Sequence, residues 1–241
     1  KGVLIVHLYG AMCNVGKIKD ICKKHNLYLI EDSAEAFGSQ YENAKSGTFG
    51  DISTFSFFGN KTITTGEGGM VFSKDKKKIE RVSFLKNQAV SSKREYWHEE
   101  VGYNYRMTNI CAAIGLSQLE VAETLISKKK KITSWYKSYL KNLPVTFQKE
   151  SKNSFHSFWM VTILVENKIK KEKLRLHLSK FNVETRPIFH PANNMNPYKT
   201  NESFPIANLI SERGINLPSY PDLKRNDIKI ICNLIVNFFK N

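Results

Sequence analysis

The segment FSFFGNKTITTGEGGMVFS, residues 55–73, carries one lysine, Lys61, in a turn rich in glycine and threonine. The runs around it, DISTFSFF and GGMVFS, read as buried strands. An amine in a sheltered, apolar cleft loses solvation as a cation, so its pKa falls. A neutral amine attacks carbonyl carbon. The alternative is a hairpin lysine whose stem lies on apolar surface while its head reaches water. A Walker A phosphate loop is excluded, because that motif needs glycine directly before the lysine and Asn60 stands there. A carboxylate, Asp32, closes the apolar run LYLIED. At the carboxyl end of a parallel strand such a group points into the crevice where α/β proteins bind ligands. Asp32 or Ser33 also suits a helix N-cap for the following AEAF.

Together these residue types describe a pyridoxal phosphate site. The cofactor needs an amine to hold its aldehyde, a carboxylate to keep its pyridine nitrogen protonated, and donors for its phosphate. Lys61, Asp32 and Ser56 are of the matching kinds. Gly66, Gly68 and Gly69 let the backbone turn sharply beside them.

The elements that must position these groups alternate along the first part of the chain. GVLIVHLYG predicts a strand, with His7 as a hydrogen-bonded core residue. NVGKIKDICKKH predicts a helix capped by Asn14, and LYLIED a second strand. Strand–helix–strand implies a parallel pair with a right-handed crossover, and DISTFSF and GGMVFS join the same sheet. KDKKKIERVSFLKNQ reads as a helix, SSKREYWHEEVGYNYR as a polar, aromatic loop, and residues 107–143 as one or two long helices ending before Pro144. Beyond Pro144 the grain changes. VTFQ, SFWMVTILVE and VETRPIF read as strands, KKEKLRLHLSKF and DIKIICNLIVNFF as helices, and the stretch up to SERGINLPSYP as loop. The division expected is residues 1–135 and 136–241.

Composition bounds the function. With 241 residues and 41% hydrophobic content, the chain has enough apolar material for a sizeable core. No apolar run reaches the roughly 18–20 residues that span a bilayer. Four dispersed cysteines without a CxxC pair indicate incidental thiols in a reducing, cytoplasmic setting, with no metal framework. The formal charge is +15, but the lysines are scattered over helices. That favours a solvated surface that attracts small anions over a nucleic-acid binder.

IEDSAEAFGSQY, GTFGDISTFSFFGNKTITTGEGGMV and GYNYRMTNICAAIGLSQLE, in this order, resemble the sugar aminotransferase family of pyridoxal phosphate enzymes. The resemblance runs through essentially the whole chain. It implies an α/β fold, the three-layer large domain of fold type I lacking its N-terminal part, plus a small C-terminal α/β domain. It implies an upstream segment of roughly a hundred or more residues, carrying further phosphate donors and an aromatic that stacks on the cofactor ring. It makes Lys61 the residue that holds the aldehyde, Asp32 the pyridinium partner and Ser56 a phosphate donor. Asn104 would reach the phosphate of a neighbouring subunit's cofactor, which requires a homodimer with shared active sites. Glu35 falls near the cofactor's ring hydroxyl, where many relatives carry Gln and a perosamine-type branch carries Glu. The implied reaction moves the amino group of L-glutamate, through pyridoxamine phosphate, to a nucleotide-linked 4-keto-6-deoxy sugar. Arg106 and Arg186 are candidates for the diphosphate, since a guanidinium fork suits phosphate. His190 is a candidate for the sugar pocket. Non-catalytic binding by a truncated relative is the competing expectation.

Overall fold

A computed structural model describes residues 1–240. The elements run β1 (Gly2–Val6), α1 (Val15–Lys24), β2 (Tyr28–Asp32), β3 (Gln40–Tyr41), β4 (Ala44–Lys45), β5 (Ile52–Ser56), β6 (Gly69–Phe72), α2 (Lys76–Lys86), α3 (Asn109–Glu120), α4 (Ala122–Tyr139), β7 (Thr146–Phe147), β8 (Ser154–Phe155), β9 (Val161–Leu164), α5 (Lys168–Ser179), β10 (Arg186–Pro187), α6 (Pro205–Arg213), β11 (Gly214–Leu217) and α7 (Arg225–Lys240). The chain divides into two compact units. The first holds Lys1–Ile126 and Glu150–Trp159, and the second Ser127–Lys149 and Met160–Asn241. The boundary expected at 135/136 therefore falls inside α4, and a short segment rejoins the first unit because β8 pairs with β3 there.

The first unit is built on a sheet of order β1-β2-β5-β6. β1 and β2 are parallel, from Gly2 opposite Tyr28 to Val6 opposite Asp32. β5 joins β2 in parallel, and β6 returns antiparallel on β5. The crossover α1 starts where Asn14 Oδ1 accepts the Lys17 N–H at 3.3 Å. It buries Val15 and Cys22 against Ile5 and Leu29. All three parallel strands deliver their carboxyl ends to one edge, where the chain continues into His7, Ser33 and Phe57. The long helical stretch expected over 107–143 is two helices, α3 and α4, parted at Val121.

The second unit is an antiparallel sheet of order β10-β11-β9-β7 packed by α4, α5 and α7. Its inner strand β11, GINL, is fully buried, and α6 precedes it, where the sequence reads as loop. Of the single strand expected for SFWMVTILVE, residues 157–166, only β9 forms; residues 157–160 bend ahead of it, and β8 lies upstream of the expected run.

Lys129 lies buried in the second unit and donates to the Ser219 carbonyl at 2.8 Å. Burial lowers its pKa from 10.5 to about 8. Between those values the unfolded chain holds a proton that the folded chain does not, so stability rises with pH there. Urea titrations of the unaltered protein against Lys129→Met should show the unaltered protein gaining on the variant from pH 8 to 10.5, by up to about 3 kcal/mol. A gap that stays constant over that range would contradict the burial argument.

Candidate active site

The Lys61 loop is closed by hydrogen bonds onto the Phe57 carbonyl, which accepts from Thr65 N at 2.9 Å and Thr64 Oγ1 at 3.0 Å. Phe57 N donates to the Gly68 carbonyl at 2.9 Å, and Lys61 N to the Phe58 carbonyl at 2.9 Å. Gly66 and Gly68 sit at φ +79 and +144, backbone that side-chain-bearing residues rarely adopt. The loop thus directs Lys61 inward, leaving its side chain 13% exposed.

The Lys61 ammonium meets the Glu35 carboxylate at 3.8 Å, and Glu35 is itself only 10% exposed. Glu35 comes from the turn after β2 and accepts the Tyr9 N–H at 2.7 Å. Asp32, the last residue of β2, accepts the Ala34 N–H at 3.0 Å. It caps a turn, since no helix follows it. Burial pushes the Lys61 amine below its ordinary pKa, opposed by the negative charges of Glu35 and Asp32. Burial likewise raises Glu35. The Tyr9 N–H and the Lys61 charge oppose that rise, and Asp32 adds to it. Burial thus moves both partners toward their neutral forms. The Trp159 ring lies under the amine, with Nζ 3.9 Å from its centroid.

The donor set fits pyridoxal phosphate in kind. An amine with depressed basicity stands within electrostatic reach of a carboxylate that ends a parallel strand. Next to that carboxylate in sequence, Ser33 Oγ is buried without a hydrogen-bond partner. Ser56 ends β5 on the same sheet edge, its Oγ taken only by a long bond, 3.4 Å, from Phe58 N.

Lys61, Glu35 and Asp32 are thus brought together. Asn104 and Arg106 lie on the exposed loop before α3. There Asn104 bridges to Asn87, and the Arg106 guanidinium donates to Asn87 Oδ1 at 3.5 Å. Arg186 and His190 belong to the second unit and are exposed. Arg186 is paired with Glu184 at 3.1 Å.

Two features go unseen in the sequence reading. One is Trp159, read as part of a strand. The other is the buried contact of His7 Nε2 with Glu31 Oε1, 3.0 Å. His7 Nδ1 accepts the Cys13 N–H at 3.2 Å, so the proton facing Glu31 is on Nε2. An acid just before the candidate Asp32, on the opposite face of the strand, is the one available signal for Glu31.

Removing the Glu35 charge tests the electrostatics. In Glu35→Gln the amine keeps its burial and loses its nearest anion, so its titration midpoint should fall further. Rates of acylation at Lys61, followed by peptide mass spectrometry against pH, read this directly. An unchanged midpoint would mean the 3.8 Å pair carries no coupling.

Comparison with known proteins supplies the context. The model of the DegT/DnrJ/EryC1/StrS aminotransferase family matches residues 1–236. GDP-perosamine synthase of Escherichia coli O157:H7 is 50% identical over 100% of this chain, and that of Vibrio cholerae 47% identical over 99%. The chain spans 66% of the length of each of these relatives. Among solved structures, Helicobacter pylori PseC, an aminotransferase involved in the biosynthesis of pseudoaminic acid, superposes with a TM-score of 0.93 at 27% identity. The match covers 100% of this chain and 67% of PseC.

Proposed function

Because the chain belongs to the DegT/DnrJ/EryC1/StrS aminotransferase family, we propose that it transfers the amino group of L-glutamate to the C4 ketone of a nucleotide-linked 4-keto-6-deoxy sugar. The sugar we assign is GDP-4-keto-6-deoxymannose and the product GDP-perosamine, a reading supported by the names of the relatives at 50% and 47% identity. The observation that carries the chemistry is the buried Lys61 amine, 3.8 Å from Glu35, beside the strand end that bears Asp32. In this reading the first unit is the C-terminal portion of the cofactor-binding large domain and the second the small C-terminal domain.

When bound, pyridoxal phosphate supplies an aldehyde that takes up an amine and a ring that draws electrons away from the carbon bearing it. Asp32 would be the carboxylate that keeps the ring nitrogen protonated. Lys61 would hold the aldehyde. As a free, weakly basic amine, Nζ would be the group that takes a proton from the α-carbon of glutamate and delivers one to C4 of the sugar. Glu35, 3.8 Å from Nζ, would hold the amine in place and favour its charged form. Ser56 would donate to the phosphate. Asn104 would do the same for a second copy, which makes the working form in this reading a homodimer with shared sites. Arg106, Arg186 and His190 serve the nucleotide sugar. The amino group lost by glutamate, which leaves as 2-oxoglutarate, is the one gained by the sugar.

Incubation with pyridoxal phosphate, L-glutamate and a panel of GDP-, dTDP- and UDP-linked 4-keto sugars, with product masses recorded, tests the reading. Amination of the GDP sugar alone is expected. Amination of a dTDP or UDP sugar instead would overturn the substrate assignment. No amination with any sugar would overturn the activity and favour a non-catalytic binding protein.

A further inference from the structure

The geometry points to Trp159 as a positioning residue for Lys61, its indole face holding the ammonium in place beside Glu35 and Asp32. The segment that carries Trp159 is tied firmly to the first unit. Ser157 N donates to Ser39 Oγ at 3.2 Å, and Ser39 Oγ donates to the Gly10 carbonyl at 2.7 Å. Phe158 then turns the chain through the left-handed region, φ +51, and its N–H donates to His156 Nδ1 at 2.9 Å. That turn presents the indole to the Lys61 loop, where Nε1 donates to the carbonyl of Asn60 at 2.8 Å, the residue just before Lys61.

The same ring stacks on Tyr9, with centroids 5.7 Å apart and planes 17° from parallel. Tyr9 also sits in the left-handed region, φ +55, and its N–H holds Glu35 at 2.7 Å. Two bulky residues in a conformation that disfavours them flank one ring, and both strained turns are held by hydrogen bonds. The indole is thereby bonded to the backbone of the Lys61 loop and stacked on the residue that holds Glu35. The Nζ atom over its face, 3.9 Å from the centroid, meets the electron-rich side of the largest aromatic quadrupole available. A residue serving only as core filling has no reason to be tied to both partners of the Lys61–Glu35 pair.

The inference rests on Lys61 being the reactive amine, but its test is made on the whole chain without cofactor or substrate. A failed transamination assay therefore leaves it standing, and the reverse holds too. The pH dependence of acylation at Lys61 is compared in the unaltered protein, Trp159→Leu and Trp159→Phe, with exposed Lys45 as internal reference. Leucine keeps an apolar wall and removes the quadrupole. The Lys61 midpoint should fall by about 0.5–1 pH unit, a three- to ten-fold loss of proton affinity, with Lys45 unmoved. Phenylalanine should recover most of that shift. A midpoint that stays put or rises in the leucine variant would reduce the indole to a water barrier and overturn the proposal. If that variant does not fold, nuclear magnetic resonance of the unaltered protein decides. The ε-methylene protons of Lys61 should lie upfield of those of exposed lysines, from the ring current, and their absence from that region sinks the idea.

Discussion

Lys61→Ala should lower kcat/KM for transamination by roughly 10⁴-fold or more and remove the visible absorbance that pyridoxal phosphate acquires on the protein. The size of the effect follows from two tasks falling on one atom. Nζ holds the aldehyde, and it moves the proton that turns an amino acid into a keto acid. No neighbour can stand in for it, since Glu35 and Asp32 are carboxylates and cannot take hold of an aldehyde. Lys61→Arg should be as damaging, because a guanidinium stays protonated at any working pH. The loop itself should survive either change, because its bonds to the Phe57 and Phe58 carbonyls are made by Lys61 N, Thr64 and Thr65 and need no lysine side chain. A Lys61→Ala protein that kept its visible band after dialysis, and lost it to borohydride with the cofactor left covalently attached, would assign the aldehyde to another lysine.

The second large effect concerns stability. Glu31→Ala should cost about 3–5 kcal/mol, a large share of what holds an ordinary domain together. The side chain is fully buried. One carboxylate oxygen contacts His7 Nε2 at 3.0 Å and accepts from Gly47 N at 2.9 Å. The other accepts from Phe49 N at 2.7 Å, Gly50 N at 2.6 Å and Ser53 Oγ at 3.3 Å. Truncation strands several donors where water does not reach, and each costs its desolvation. Glu31→Gln keeps the shape but turns an amide N–H₂ toward donors, so it should recover little.

Burial alone would raise the Glu31 pKa. The bonds from His7, Gly50, Gly47 and Phe49 overcome this and hold it below 4.5. A folded value under the unfolded one means the stabilisation is fully present above about 4.5 and fades as pH falls through the folded value. Denaturant titrations should therefore show the gap between the unaltered protein and Glu31→Ala closing as the pH falls through the acid range. A gap independent of pH would place the stabilisation in packing instead. The consequence reaches the site, because Asp32 is the next residue and the clamped residues 47–50 lead into β5 and Ser56.

Much of this protein is written locally in its sequence. The cap at Asn14 is a bond within three residues, and the helical spacing of Val15 and Cys22 and the apolar runs of β1, β2, β5 and β6 are patterns visible in short windows, so the elements form where those patterns point. The chemical kinds of Lys61, Asp32 and Ser56 are equally legible. Other features depended on partners far along the chain. GINL lacks alternation because β11 is buried on both faces, so nothing local separates it from a loop, and only pairing with β9 and β10 makes it a strand. The run containing Trp159 reads as one apolar strand because the bend at Phe158 is imposed by bonds to Ser39 and Asn60, the latter spanning 99 residues. Side-chain type is a property of one residue, whereas basicity depends on which charges and walls the fold brings within a few ångströms. The sequence therefore determined that an amine and a carboxylate were available. Only the tertiary structure decided that the amine lies between an indole and Glu35, where burial can weaken it as a base.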